Sequence, residues 1–354
     1  MTGTATLGVG ILGSGPVTQA IHLPALARLT DLFTVRTVMD VSEATAAEVA
    51  ARVSARATTS VDDLLRDATV DVVAVCSPHQ FHAEQVIAAC RAGKRAVLCE
   101  KPFATTTDEA SRIAQVSVET GVPIIVGAMH TYDPGWVAFT EAWGPTRGSA
   151  THIRCSAVLP PNPRFEDFAT EVTNRQPPQA PSPSAAVDDR ANRLRGGILG
   201  LAIHDLPLIR AFLTATDRIV VHAAQTLTPF GYLVVFSCGE QVVELHAHMS
   251  ANWSPSWLFE VFSGDRVGSV NFTPSYVQAG SAEAYISSAG QQVLLGPSAR
   301  NGYVEEWQHL YDLAHGQAPR YSPADLIDDL TFALDLSARA ATALESNPEP
   351  VGAR

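Results

Sequence analysis

Only two of the 24 basic residues in this chain are lysines, Lys94 and Lys101, so a lysine that survives in so arginine-rich a background carries information. Lys101 stands in Glu100-Lys101-Pro102, directly after the apolar run Ala96-Val97-Leu98-Cys99. That places it at the carboxyl end of a strand, where open α/β sheets bind ligands. An amine there lowers its pKa on partial burial and can exchange a proton with an alcohol or a carbonyl, a task that a permanently charged arginine cannot perform. The competing reading of Lys101 is an ion-pair partner for Glu100. Lys94, which follows the helix-ending Gly93, reads as a solvated turn residue.

A second chemistry-bearing segment is Gly13-Ser14-Gly15-Pro16-Val17-Thr18. The strand ends at Gly13, Gly15 lets a ligand approach the backbone, and Pro16 opens a helix whose N-terminus faces a pyrophosphate. An apparent G-x-G-x-x-G match at Gly8, Gly10 and Gly13 is a decoy, because its first two glycines lie inside the strand. Thr18 replaces the third glycine of the fingerprint. Asp40 ends the second strand, where a carboxylate accepts from the adenosine ribose hydroxyls and repels a 2′-phosphate. NAD is therefore expected, with NADP as the alternative.

The elements that must hold these groups follow from the rhythm of the chain. Its 354 residues favour two domains. LGVGIL, FTVRTVMD, DVVAVCS, RAVLC and VPIIVGAM alternate with helical stretches, the pattern of a six-stranded, doubly wound parallel sheet. After Tyr132 come Pro- and Gly-rich turns and hairpin-like pairs turning at Gly239 and Gly264, which predict a mainly antiparallel open sheet. The expected division is 1–132 for a dinucleotide-binding Rossmann domain and 133–354 for a substrate-binding and oligomerisation α+β domain. Prolines crowd the stretch from Leu159 to Asp189, which reads as a long irregular loop, either a lid or an oligomer arm. Ser322 as N-cap and Pro323 start a closing helix.

Composition narrows the function further. With 46% apolar and 17% charged residues, a net charge of −12 and no basic block, the chain is a globular protein expected to bind small molecules rather than nucleic acid or a membrane. Five scattered cysteines without CxxC spacing read as free thiols, no metal site is indicated, and no secretory signal is visible, so a cytoplasmic location is expected.

Taken together, Ser77-Pro78-His79 with the later His82, then Gly93-Lys94 and Glu100-Lys101-Pro102, resemble the Gfo/Idh/MocA family of oxidoreductases. The resemblance extends to Asp133-Pro134 and, more loosely, through the second domain. It implies hydride transfer between a nicotinamide and a sugar, cyclitol or related polyol. Gly13, Ser14, Gly15, Pro16, Val17, Asp40, Ser77, Pro78, His79, His82, Glu100 and Lys101 would then hold the cofactor. His79 stands where the family commonly has Asn, and would either meet the nicotinamide ribose or cap a helix. Glu100 would position the cofactor, and a cis Lys101-Pro102 bond is implied.

The second-domain segment Gly196-Gly197-Ile198-Leu199-Gly200-Leu201-Ala202-Ile203-His204-Asp205 is similar to a family motif on a helix beneath the nicotinamide, and makes His204 the matching acid/base with Lys101. The family's aspartate, four residues earlier on the same helix face, is Gly200 here, and a further acid is Pro207. Asp205 projects about 100° away from its neighbour on a helix and is not a simple substitute. His130, with Tyr132 in MHTYDP, is a substrate-side candidate or relay, or else a core histidine. Trp253, Trp257 and Tyr276 would stack on a sugar or simply pack. With His204 lacking its acid, proton transfer rests on Lys101 and ketone reduction is the expected direction. An NAD-retaining enzyme that eliminates through transient oxidation and a non-catalytic dinucleotide sensor are the alternatives. A homodimer or homotetramer formed through the second-domain sheet is also expected.

Overall fold

The computed structural model describes residues 6–161, 163–164, 166, 170–175, 190–249, 255–277 and 279–346. Most of the Pro-rich stretch, including 176–189, and Trp253 lie outside the described residues.

Six parallel strands form the first sheet: β1 (Leu7–Leu12), β2 (Phe33–Met39), β3 (Arg56–Thr58), β4 (Val72–Val75), β5 (Ala96–Cys99) and β6 (Ile124–Val126), in the order β3-β2-β1-β4-β5-β6. Helices cover both faces, so β4 and β5 are buried along their whole length and consist of uninterrupted apolar residues. The strand order reverses between β1 and β4. That is the switch point at which a doubly wound sheet opens a crevice at its carboxyl edge, and the Gly13 turn and the Ser77 loop flank it. Gly8 and Gly10 have a packing role inside β1: a Cβ at Gly8 would lie 1.7 Å from the Thr69 carbonyl oxygen, and one at Gly10 would lie 2.7 Å from Leu64.

The second sheet has eight strands: β7 (His152–Leu159), β8 (Ile219–Thr226), β9 (Gly231–Cys238), β10 (Gln241–Met249), β11 (Ser256–Ser263), β12 (Arg266–Phe272), β13 (Glu283–Ser288) and β14 (Gln291–Leu295). Their order is β14-β13-β12-β11-β7-β10-β9-β8, antiparallel except for the parallel pair β7 and β10. The hairpins turn at Gly239 and Gly264 as expected, both with positive φ. Alternation along β9 buries Tyr232, Val234, Phe236 and Cys238 on one face. An aromatic core of Trp136, Phe139, Phe212 and Phe259 lies beneath that same side of the sheet.

The last two helices return to the first domain. Trp307, on the helix Gly302–Ala314, packs edge-on against Phe33 of β2 at 5.3 Å, and Leu330 of the helix Pro323–Ser346 joins Phe103 and Ile113. The closing helix starts where expected: Ser322 Oγ accepts from the Asp325 N–H and Asp325 accepts from the Ser322 N–H, a reciprocal cap. Lys94 departs from expectation. It is buried, and its ammonium donates to the carbonyls of Val70 (2.7 Å) and Asp67 (3.1 Å), tying the β4 approach to the turn before β5.

Candidate active site

The turn Gly13–Thr18 forms because β1 must stop at the switch point. Gly13 has φ +92°, and a Cβ there would fall 2.7–2.8 Å from the Cys76–Ser77 backbone, so only glycine lets the two loops approach. A Cβ at Gly15 would meet nothing within 4 Å, which leaves open space over the turn. Asp40 Oδ2 accepts from Ser14 N–H (2.9 Å) and Ser14 Oγ–H (3.0 Å), and Oδ1 accepts from Ser42 N–H. The turn and the carboxylate are thus one unit, with the carboxylate partly exposed at the rim. Val17 continues from the turn into the cavity that holds Lys101.

His79 and Pro78 lie on the outer side of the loop after β4, with His79 edge-on to His82 at 5.5 Å. His82 is fully buried with its ring nitrogens 2.8 Å from the Pro102 carbonyl and 2.7 Å from the Ser77 carbonyl. It braces the two loops that bear Ser77 and Lys101 and stands one step back from the crevice.

Lys101 occupies the end of β5, its peptide bond to Pro102 is cis, and its ammonium donates to the Gly200 carbonyl at 2.9 Å. Desolvation lowers its pKa from the ordinary lysine value, and the Glu100 charge partly offsets this. Glu100 is buried and pinned from two sides: Oε1 lies 3.0 Å from His22 Nε2 and Oε2 accepts from the Lys101 N–H. The Trp307 indole N–H points at His22 Nδ1 (3.2 Å), so Nδ1 is the acceptor and Nε2–H donates to Glu100. Burial would raise the Glu100 carboxyl, but the hydrogen bond from His22, with the charge and N–H of Lys101, holds it below its usual value.

His204 shares a cavity of about 90 Å³ with Lys101, Glu100, Trp257 and Tyr276. The expected continuous helix beneath it is broken: the helix Arg190–Gly200 ends, a 3₁₀ turn Ala202–His204 follows, and Pro207 opens the short helix Leu206–Arg210. His204 Nδ1 is buried with no partner among the described residues. Burial, then the charges of Lys101 and His130, press its pKa well below the ordinary imidazole value.

The carboxylate that sequence spacing seemed to exclude is nearby but serves another ring. Asp205 Oδ1 lies 3.2 Å from His130 Nδ1, and both its oxygens accept from the Trp257 indole N–H at 2.8 and 3.0 Å. His130 stacks on Phe272 at 3.9 Å and lies 5.9 Å from the His204 ring. It is buried behind His204 rather than facing the cavity. Tyr132 packs between Tyr321 and His309 and lines a separate small cavity on the far side of Lys101.

Sequence reasoning passed over His22 and Glu306. His22 is a polar residue in an apolar helical run, a pattern that could have flagged it, whereas Glu306, between Glu305 and Trp307, carries no such signal. Glu306 is fully buried and neither carboxylate oxygen has a partner among the described residues. Burial, with Glu100 adding to it, raises its carboxyl well above the usual range.

Comparisons with known proteins bear on the family and the fold. The Gfo/Idh/MocA model, described as an oxidoreductase family with an NAD-binding Rossmann fold, matches residues 7–128. An inositol 2-dehydrogenase of Paracoccus denitrificans is 38% identical over 172 residues, 47% of this chain and 49% of that protein. The chain thus matches about half the length of that relative. Inositol 2-dehydrogenase 1 of Saccharopolyspora erythraea aligns over 84% of this chain and 90% of its own length at 27% identity. The fold matches UDP-N-acetylglucosamine 3-dehydrogenase of Acidithiobacillus ferrooxidans with TM-score 0.72 and 22% identity, covering 96% of this chain and 100% of that one. It also matches a 3-ketoreductase of Actinomadura kijaniata, solved with NADP and TDP-benzene, at TM-score 0.68 and 18% identity over 97% and 98% of the two chains.

Proposed function

Because residues 7–128 match the Gfo/Idh/MocA oxidoreductase family model, we propose that the chain belongs to that family and transfers hydride between NAD and a secondary alcohol or ketone carbon of a sugar, cyclitol or related polyol, working as a ketone reductase. The observation that carries this reading is the placement of Lys101 and His204 on one cavity at the carboxyl edge of the parallel sheet, with Val17 of the dinucleotide turn on the same wall. The residues present fit the cofactor: open space over Gly15, the Ser14–Asp40 unit at the rim, and Glu100 buried beside Lys101. Gly13 to Val17 and Asp40 would hold the adenosine half, with Asp40 favouring NAD over NADP. Ser77 to His79 and Glu100 would hold the nicotinamide half. When bound, the nicotinamide supplies or accepts the hydride.

Lys101 does the proton work. Its ammonium, already donating to a carbonyl oxygen in the protein, is placed to donate to a ketone oxygen as negative charge develops there, and in the reverse direction the neutral amine takes the proton of the alcohol. His204, with its depressed pKa, remains neutral and contributes a ring nitrogen for orienting a substrate hydroxyl. Purified protein given NADH and a panel of keto-sugars and keto-cyclitols tests the reading through loss of nicotinamide absorbance. No consumption of NADH or NADPH with any of them, and no reduction of NAD by the matching alcohols, would reject it.

The outer face of the second sheet carries exposed apolar side chains, among them Val220, Val242 and Leu294. A homodimer or homotetramer formed through this face covers them. Light scattering at micromolar concentration checks this, and a strict monomer would contradict it.

A further inference from the structure

Behind the cavity that holds Lys101 and His204 lies a second, larger one of about 340 Å³. The two share Leu159, Gly200 and Leu201 as a common wall, so they adjoin along the end of the helix Arg190–Gly200. Phe230, Met249 and Pro160 complete the apolar side of the larger cavity, and His248 is its ionisable group. Among the described residues that line it there is no lysine, arginine, aspartate or glutamate.

Two exposed glycines of the helix border this space. Gly196 and Gly200 are four residues apart and share a face, and a Cβ at either would meet nothing within 4 Å. Their neighbour Gly197 points the other way, where a Cβ would meet the Tyr232 ring at 2.8 Å, so its size is explained by packing. Packing explains neither Gly196 nor Gly200, and at Gly196, inside the helix, glycine is the least favourable ordinary residue. The position that would bear the orienting acid, Gly200, is therefore also the gap between the two cavities.

We propose that the larger cavity is a substrate subsite for an uncharged apolar group, such as an aryl aglycone, attached to the sugar whose carbinol or ketone carbon lies at Lys101 and His204. This rests on the oxidoreductase reading above and deepens it by naming the substrate class as glycosides with an apolar aglycone. Size permits it, since a cavity of about 150 Å³ accepts benzene. Charge selects it. A nucleoside diphosphate would bring two phosphates that require cationic or multiple N–H donors, and among the described residues lining this wall His248 is the one group that could carry positive charge. A free cyclitol would leave the apolar wall wet.

The experiment compares methyl and phenyl β-glycosides of several pyranoses, together with free myo-inositol, as substrates for alcohol oxidation with NAD at alkaline pH. The phenyl glycoside of the accepted sugar should exceed its methyl counterpart in kcat/KM by on the order of tenfold or more, the advantage expected for burying an aromatic ring. Gly196→Leu fills the subsite without touching the acid/base groups, and its higher helix propensity favours folding. It should abolish the phenyl advantage and leave methyl-glycoside kinetics unchanged. Equal kcat/KM for the two glycosides, or an equal loss on both in Gly196→Leu, overturns the subsite. Turnover of myo-inositol with none of any glycoside also overturns it while leaving the oxidoreductase reading intact. Absence of turnover with every compound removes the reading on which the subsite rests.

Discussion

Asp205 holds His130 and not its sequence neighbour His204: the carboxylate lies 3.2 Å from His130 Nδ1, while His204 Nδ1 is buried without a partner among the described residues. The turn from the 3₁₀ segment into Leu206–Arg210 aims the two adjacent side chains differently, and Trp257 fixes the carboxylate by donating to both its oxygens. His204 Nδ1 therefore has no carboxylate partner among the described residues. Gly200→Asp is expected to supply one, because a side chain there has open space. The variant should raise the His204 pKa, make the ring a better base, and increase alcohol oxidation near neutral pH on the order of tenfold. Pre-steady-state rates against pH check it, and an unchanged profile would show that the histidine takes no part in proton transfer.

Removing the Asp205 charge tests the other half of the arrangement. Asp205→Asn leaves an acceptor for the Trp257 indole but loses the carboxylate that orients His130, and should destabilise the fold by about 1–3 kcal/mol. Because His130 lies behind His204, turnover should fall with little change in KM. Thermal unfolding and a kcat against KM comparison read the two effects separately.

Lys101 has its pKa lowered by desolvation, and the sign of the pH dependence follows. Ketone reduction needs the ammonium, so its rate should be level at low pH and fall as pH rises through a value below that of free lysine. Alcohol oxidation needs the amine and should rise through the same value. Lys101→Ala should lower turnover about 10²-fold or more. Lys101→Arg keeps the charge but cannot titrate, so it should remain inactive and lose this limb of the profile.

Most of this frame was legible in the sequence, for identifiable reasons. The alternation of apolar runs with helices gave the parallel sheet, and the glycine turns gave the hairpins. The short strand β3 escaped delimitation because only three residues pair there and two of them are exposed. Lys94 was misread because its turn looks solvated along the chain. Only the fold shows that its ammonium reaches back to carbonyls 24 and 27 residues away. The Asp205–His130 pair was hidden for the same reason, since its contact spans 75 residues and depends on a helix break next to Pro207.

The Ser14–Asp40 unit makes cofactor preference testable at one position. At the proposed cofactor site, Asp40→Ser would remove the charge that repels a 2′-phosphate and that would accept from ribose hydroxyls. The NAD to NADP affinity ratio should shift toward NADP by about tenfold or more, as expected for losing hydrogen bonds to a charged group. Fluorescence titration with both reduced cofactors reads the ratio directly, and an unaltered ratio would remove Asp40 from the ribose site.

Glu306 gives a prediction about stability rather than turnover. Its carboxyl is buried without a hydrogen-bond partner among the described residues, and burial together with Glu100 raises its pKa well above the usual range. The folded protein therefore binds this proton more tightly than the unfolded chain. Linkage then requires stability to be highest below the unfolded carboxyl value and to decline as pH rises toward the raised folded value. Glu306→Gln keeps the shape and neutrality of the protonated acid while removing its titration. The variant should match the parent in acid, exceed it in melting temperature at neutral and alkaline pH, and show a flatter stability profile between them. A parent that is more stable than the variant at alkaline pH would mean that Glu306 is ionised in the fold.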